Sequence, residues 1–227
     1  KKLYLIANYN LICKQFRKLK YKTNIIKIKS IEDNINSNNL KIIDIPINFK
    51  NPFKVSFKAS SKYVLKSLNL GHLLAQKNKV KGIINCPIDK NLIQILKKIG
   101  VTEFLASKCK IKDSSEIMLI HNKKFSVVPL TTHLNVKDVS KKINSKFIIK
   151  KLVSLDKEFK KVFKIKARIG VLGLNPHNAE LNKKSEEIKE IIPAISKLKA
   201  RGLSIYGPLV ADTTFVNNYK KYNVIVG

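Results

Sequence analysis

The stretch Arg168-Ile169-Gly170-Val171-Leu172-Gly173-Leu174-Asn175-Pro176-His177 decides how the chain is read. Residues 168–174 form a short run rich in β-branched and apolar side chains, the composition of a buried strand. Pro176 cannot donate to a ladder, so the strand feeds a loop that carries a histidine. Downstream, Ser185 can cap a helix whose first turn holds Glu186 and Glu187 at the positive end of its dipole. Ile188, Ile191, Ile192, Ile195 and Leu198 form its apolar stripe, Pro193 should bend it, and Gly202 ends it. Strand, loop and helix in this order are the unit of an α/β protein with a largely parallel sheet. Such sheets hold ligands just beyond the carboxyl ends of their strands.

The same alternation runs through the rest of the chain. Strands are expected at residues 3–7, 24–28, 41–47 and 80–85, with helices at 11–20, 60–79 and 91–99, the last stopping at Gly100. Residues 115–121 and 125–131 read as a hairpin around Asn122, Lys123 and Lys124, inserted into the parallel sheet. Helices follow at 136–143 and 147–163, and 223–226 is a final strand. A first subdomain over 1–99, rejoined by about 219–227, and a second over 100–218 are therefore expected.

With 227 residues and 44% hydrophobic content, the chain can bury a substantial core. No apolar run reaches the roughly 18 to 20 residues that cross a bilayer, and no membrane partner is expected. The net charge of +31 raises the question of nucleic acid. Lysines, however, occur along nearly the whole chain, and the only arginines are Arg17, Arg168 and Arg201. This pattern is that of a compositional bias giving a solvated basic surface, with no aromatic platform interleaved among the cations, so nucleic acid is not an expected partner. Cys13, Cys86 and Cys109 are odd in number and widely spaced, which suits a reducing compartment and a cytoplasmic location.

His133 and His177 each sit in a loop directly after an expected strand. A neutral imidazole there can bind a divalent metal and polarise a hydroxyl or carbonyl oxygen, or it can make one local hydrogen bond. Two histidines leave a catalytic metal site incomplete, since three protein ligands are usual. Asp212 can supply a third, or cap a turn. Thr102 can meet a polar substrate or cap a helix, and Lys90 can meet an anion or be solvated. His72 reads as structural within a helix and His121 as solvent-facing. There is no GxGxxG, Walker, GxSxG or HExxH motif, so a nicotinamide cofactor would not use the usual Rossmann fingerprint.

The ordered motifs Gly173-Leu174-Asn175-Pro176-His177, Ser185-Glu186-Glu187-Ile188, Ile191-Ile192-Pro193 and Gly207-Pro208-Leu209-Val210-Ala211-Asp212-Thr213 resemble the 4-hydroxythreonine-4-phosphate dehydrogenase family. Thr131-Thr132-His133-Leu134, Cys86-Pro87-Ile88-Asp89-Lys90 and Gly100-Val101-Thr102-Glu103-Phe104 fit the same family upstream. The resemblance implies an α/β/α fold of two subdomains like that of isocitrate and isopropylmalate dehydrogenases, and a homodimer with the active site at the subunit interface. It implies a divalent metal (Zn, Mg or Co) held by three histidines, with NAD or NADP oxidising a phosphorylated substrate, 4-phosphooxy-L-threonine, that then loses carbon dioxide to give 3-amino-2-oxopropyl phosphate in vitamin B6 biosynthesis. His133 and His177 carry over as metal ligands, Thr102 as a substrate contact and Asp212 as a catalytic carboxylate beside metal or substrate.

Three departures accompany the resemblance. Val101 stands where the family usually has histidine. Asn178-Ala179-Glu180-Leu181-Asn182 replaces a glycine-rich stretch. The chain is expected to be truncated at both ends, starting after a Pro- and Gly-containing substrate loop and stopping before a Tyr-His-Asp-Gln motif that supplies the third metal histidine. An inactive remnant of the family, or a relative acting on another phosphorylated hydroxy acid, are the alternative readings.

Overall fold

The computed structural model describes residues 2–33, 38–89, 91–94, 100–111, 115–132 and 134–227. Two compact units divide the chain, Lys1–Lys110 and Ile111–Gly227.

In the first unit, strands β1 (Tyr4–Ala7), β2 (Ile25–Ile28) and β3 (Leu40–Asp44) make a parallel sheet in the order β1-β3-β2. β3 takes the centre because Ile42 and Ile43 are both buried, the mark of a strand covered on two faces. Helix α1 (Tyr9–Lys18) is fastened to the strand ends through polar groups. Asn8 caps it, accepting from the Leu11 N–H at 2.9 Å, and donates its amide to Asp44 and to the Ile45 carbonyl. Helix α2 (Phe57–Gln76) carries buried Leu68, which packs with Phe104 of α4 (Val101–Lys108) and Ile93 of the short α3 (Asn91–Gln94).

One local expectation fails in this unit. Residues 80–85 form no strand: Ile84 is 89% exposed, and the run pairs with no strand of the sheet. Its apolar stretch is broken by Lys81 and Gly82, and a short run without a ladder leaves its backbone groups to solvent. Gly100 is the N-cap of α4, so a helix begins directly after it. The helix expected at 91–99 is described only over Asn91–Gln94, and Lys90 and residues 95–99 lie outside the described residues.

The second unit is built on a five-stranded sheet in the order β4-β5-β8-β6-β7. The antiparallel pair β4 (Ile120–His121) and β5 (Ser126–Val128) is the expected hairpin in a shorter form. β6 (Ile169–Leu172), β7 (Ile205–Leu209) and β8 (Val224–Val226) run parallel to β5. β8 lies between β5 and β6, so the boundary expected at residue 100 falls about ten residues later, and the strand expected to return to the first subdomain belongs to the second unit. The reason is packing: Val224, Ile225 and Val226 are all fully buried, which only an interior strand of a covered sheet allows.

Period-two alternation sorts the side chains of this sheet onto its faces. Val128, Ile169, Val171, Ile205, Val224 and Val226 meet the helices α6 (Ser145–Phe163) and α7 (Ile192–Ala200), while α5 (Val136–Lys142) contributes the half-buried Val139. On α6, Ile148, Leu152, Leu155 and Phe159 recur at helical spacing, and Asn144 caps the first turn by accepting from the Phe147 N–H. On the other face Gly170 lets two side chains pack closely: a Cβ there would lie 2.8 Å from Leu209 and 3.0 Å from the Tyr222 ring, so both would have to shift. The bend expected at Pro193 takes the form of a change in helical register, a π-turn over Glu187–Ile191 that leads into α7.

Leu152 is fully buried on the α6 stripe. Leu152→Ala should therefore lower unfolding free energy by about 2–5 kcal/mol, read as a shifted urea midpoint with unchanged slope.

Candidate functional site

Because β5, β8, β6 and β7 are parallel, their carboxyl ends open on one edge of the sheet. The chain leaves β6 through Gly173 to His177 and leaves β7 through Val210 to Asp212, on a short helical turn Ala211–Thr213. The Gly173 N–H donates to the Leu209 carbonyl at 2.9 Å, so the two exits stay side by side. There, His177 Nδ1 stands 3.8 Å from Asp212 Oδ2, with the two side chains 74% and 59% exposed. That separation is too long for a hydrogen bond and leaves both groups open to a ligand. Asp212 does not cap the turn, which Val210 begins without a side-chain cap, and Thr214 satisfies the Val210 carbonyl instead.

The sequence also names His133 and Thr102. The chain leaves β5 at the same edge through Leu130, Thr131 and Thr132, but His133 itself lies outside the described residues. Thr102 belongs to the first unit, exposed in the first turn of α4. Gly100 is the cap of that helix, so the alternative capping role for Thr102 is not realised. Val101 before it packs against the Leu68, Ile93 and Phe104 cluster. His72 is buried in α2, and exposed His121 pairs its Nδ1 with the Ser126 hydroxyl at 2.8 Å.

Beneath the exposed pair lies a buried polar frame that the sequence reading missed. Glu187, expected at the positive end of a helix dipole, is completely buried. Its Oε1 accepts from the Leu174 and Asn175 N–H groups, each at 2.8 Å, and Asn175 Nδ2 reaches Oε2 at 3.0 Å. Glu186 takes the same amide at 3.0 Å. Burial by itself pushes the Glu187 carboxyl up, but the Asn175 N–H and side-chain amide outweigh it and hold the group below its ordinary value. Asn178 is also buried, donating to the Pro208 carbonyl at 3.1 Å, with its Oδ1 pressed against Gly173. A Cβ on Gly173 would meet that oxygen at 2.0 Å, so no other residue fits. A signal for Glu187 was present: 187, 191, 194 or 195 and 198 share one helical face, and every other position on it is apolar.

The loop itself carries strain. His177, Asn178, Ala179, Glu180 and Leu181 all have φ between 47° and 57°, the left-handed region that disfavours side chains. Of these, Asn178, Ala179, Glu180 and Leu181 fall in the stretch after the histidine where the resemblance leads one to expect glycines.

A metal can be tested against this donor set. Among the described residues no group of three or more His, Cys, Asp or Glu side chains is placed to hold a metal ion. His177 and Asp212 nevertheless fit as two donors of one site, since ligands about 2.0–2.2 Å from a divalent ion stand roughly 3–4 Å apart.

Glu180→Gly, at an exposed position with φ of 47°, should raise stability by about 1 kcal/mol in thermal unfolding. Glu187→Gln should lower it by about 1–3 kcal/mol at neutral pH, because a neutral amide cannot satisfy the same donors. The folded-state value of Glu187 is depressed, so its stabilisation is present above the ordinary glutamate range of about 4.3 and is lost as pH falls through and below that range. The variant should accordingly show a flatter acid limb in its stability-versus-pH curve.

Comparison with known proteins agrees in detail with this architecture. The family described as pyridoxal phosphate biosynthetic protein PdxA matches residues 1–227. A 4-hydroxythreonine-4-phosphate dehydrogenase of Aquifex aeolicus is 35% identical over 203 residues, covering 86% of this chain and 61% of that protein. One from Sulfurihydrogenibium sp. is 34% identical over 209 residues, covering 89% and 63%. The chain thus spans a little over 60% of the length of these curated relatives. Among solved structures, the 4-hydroxythreonine-4-phosphate dehydrogenase of Klebsiella pneumoniae superposes with a TM-score of 0.85 at 23% identity, covering 98% of this chain and 71% of that one. The expected fold class, α/β of the isocitrate and isopropylmalate dehydrogenase type, is borne out by that likeness. Parallel strands that deliver the Asn-Pro-His and Ala-Asp-Thr loops to one edge, and a family match over the whole chain, lead to one conclusion: the chain belongs to the PdxA family.

Proposed function

We propose that this chain is a 4-hydroxythreonine-4-phosphate dehydrogenase, or the greater part of one, acting in the cytoplasm as a homodimer on a phosphorylated hydroxy acid. The observation that carries the reading is His177 facing Asp212 at the carboxyl edge of β6 and β7, in a chain of this family.

In this reading His133 and His177 would hold a divalent metal, with NAD or NADP as the oxidant. When bound, the metal would polarise the substrate hydroxyl and the nicotinamide would take up the hydride from the carbon that bears it. The protein's own share is positional and acid–base. Asp212 Oδ2, exposed and beside His177, receives the hydroxyl proton as the carbon–hydrogen bond is broken. Loss of carbon dioxide from the resulting β-keto acid, with a proton taken up at the carbon that bore the carboxylate, then gives the aminoketone phosphate. Thr102, exposed in the first turn of α4, carries over from the family as a substrate contact in this reading. Support for a neighbouring reading, oxidation of another phosphorylated hydroxy acid, comes from Val101: its side chain packs on apolar neighbours and offers a substrate no polar group.

The test supplies purified protein with NAD, a divalent metal and 4-phosphooxy-L-threonine, and follows reduced nicotinamide by absorbance. Reduction that needs the metal and vanishes in His177→Ala and Asp212→Asn is expected. Absence of turnover, or turnover that survives chelation or the His177 substitution, overturns the reading.

A further inference from the structure

Glu187 is the residue that the activity described above does not use, yet it is the most completely buried charge near the site. We propose that Glu187 is a positioning residue for His177, its carboxylate setting the affinity of this sheet edge for a divalent cation. The inference rests on the reading of His177 as a metal ligand.

The geometry runs through a short, stiff path. Glu187 directs its bonds at the two residues that leave β6: the N–H groups of Leu174 and Asn175, and the Asn175 side-chain amide. Only Pro176, whose ring fixes φ, separates Asn175 from His177. On the far side, Asn178 is tied to the Pro208 carbonyl of β7. His177 is thus exposed at its ring and anchored at both flanks, and the strained backbone between those anchors would otherwise relax toward ordinary φ. A helix start needs no buried carboxylate, and removing a charge from water is costly unless its bonds are well made. Glu190, one turn further on, provides a contrast within the same helix. It accepts from the Ser145 N–H at the start of α6.

Outer groups that orient a metal-binding histidine typically change metal affinity by about 10–100-fold when altered. Here the orienting group acts through the backbone of the loop and not through the imidazole. The expected signature is therefore a loss of affinity without loss of the ligand.

The experiment titrates the full 227-residue chain with Co²⁺ alone, read by visible absorption and calorimetry, with circular dichroism to show each variant folded. Glu187→Gln and Asn175→Ala should each weaken Co²⁺ binding by about 10–100-fold. Glu190→Gln should destabilise the chain while leaving Co²⁺ affinity unchanged. His177→Ala should abolish binding at this site. If Glu187→Gln does not fold, Asn175→Ala decides, since it keeps the carboxylate and its backbone bonds and deletes only the amide. Parental affinity in the Glu187 and Asn175 variants, with binding lost in His177→Ala, overturns the positioning role and leaves the site intact. Weakening in Glu190→Gln as large as in Glu187→Gln also overturns it, because general loosening then explains both. Parental Co²⁺ affinity in His177→Ala instead overturns the metal site itself.

Discussion

The pairing of β8 with β5 on one side and β6 on the other is the interaction on which the second unit depends. Remove it and the sheet falls into two pieces, the β4–β5 hairpin and the β6–β7 pair, neither with enough buried area to persist alone. With it in place, four parallel strands share one carboxyl edge, and the loops after them are brought to a common border. The chemistry proposed for this chain requires residues from several loops, so the location of the site follows from strand order before any side chain is considered.

On that scaffold, the frame under the loop decides what the edge can present. Past the Gly173 N–H, which still pairs with the Leu209 carbonyl, the next two N–H groups to emerge from β6, those of Leu174 and Asn175, are accepted by a buried carboxylate. One helix therefore covers the sheet with Ile191, Ile195 and Leu198 and secures the adjoining loop with Glu187. The apolar face and the polar anchor lie on the same stripe, so packing of α7 and posture of His177 cannot vary independently.

Much of this was legible from local pattern. The β-branched run before Asn175, the histidine after Pro176, the stripe of α7 and the hairpin around Asn122 each follow from periodicity or turn chemistry, and ordered motifs carried the family. What escaped the reading was non-local. Val224–Val226 looks like any buried strand, and nothing in three residues says which neighbours it will join. Residues 80–85 look like a strand too, because an apolar run reports willingness to pair and not the presence of a partner. The burial of Glu187 escaped for a related reason. A glutamate in a first helical turn ordinarily faces solvent, and only its alignment with Ile191 and Leu198 distinguishes it.

The order of strands also bears on how the protein is made. β8 is synthesised after both of its neighbours, so a chain emerging from the ribosome exposes the edges of β5 and β6 until Val224 appears. More than fifty residues separate Gly170 from its partner Ile225 in that ladder, which makes the closing step slow relative to helix formation. During that interval the nascent second unit offers two unpaired, apolar strand edges. It is the stage at which a chaperone would find a substrate and at which aggregation would begin.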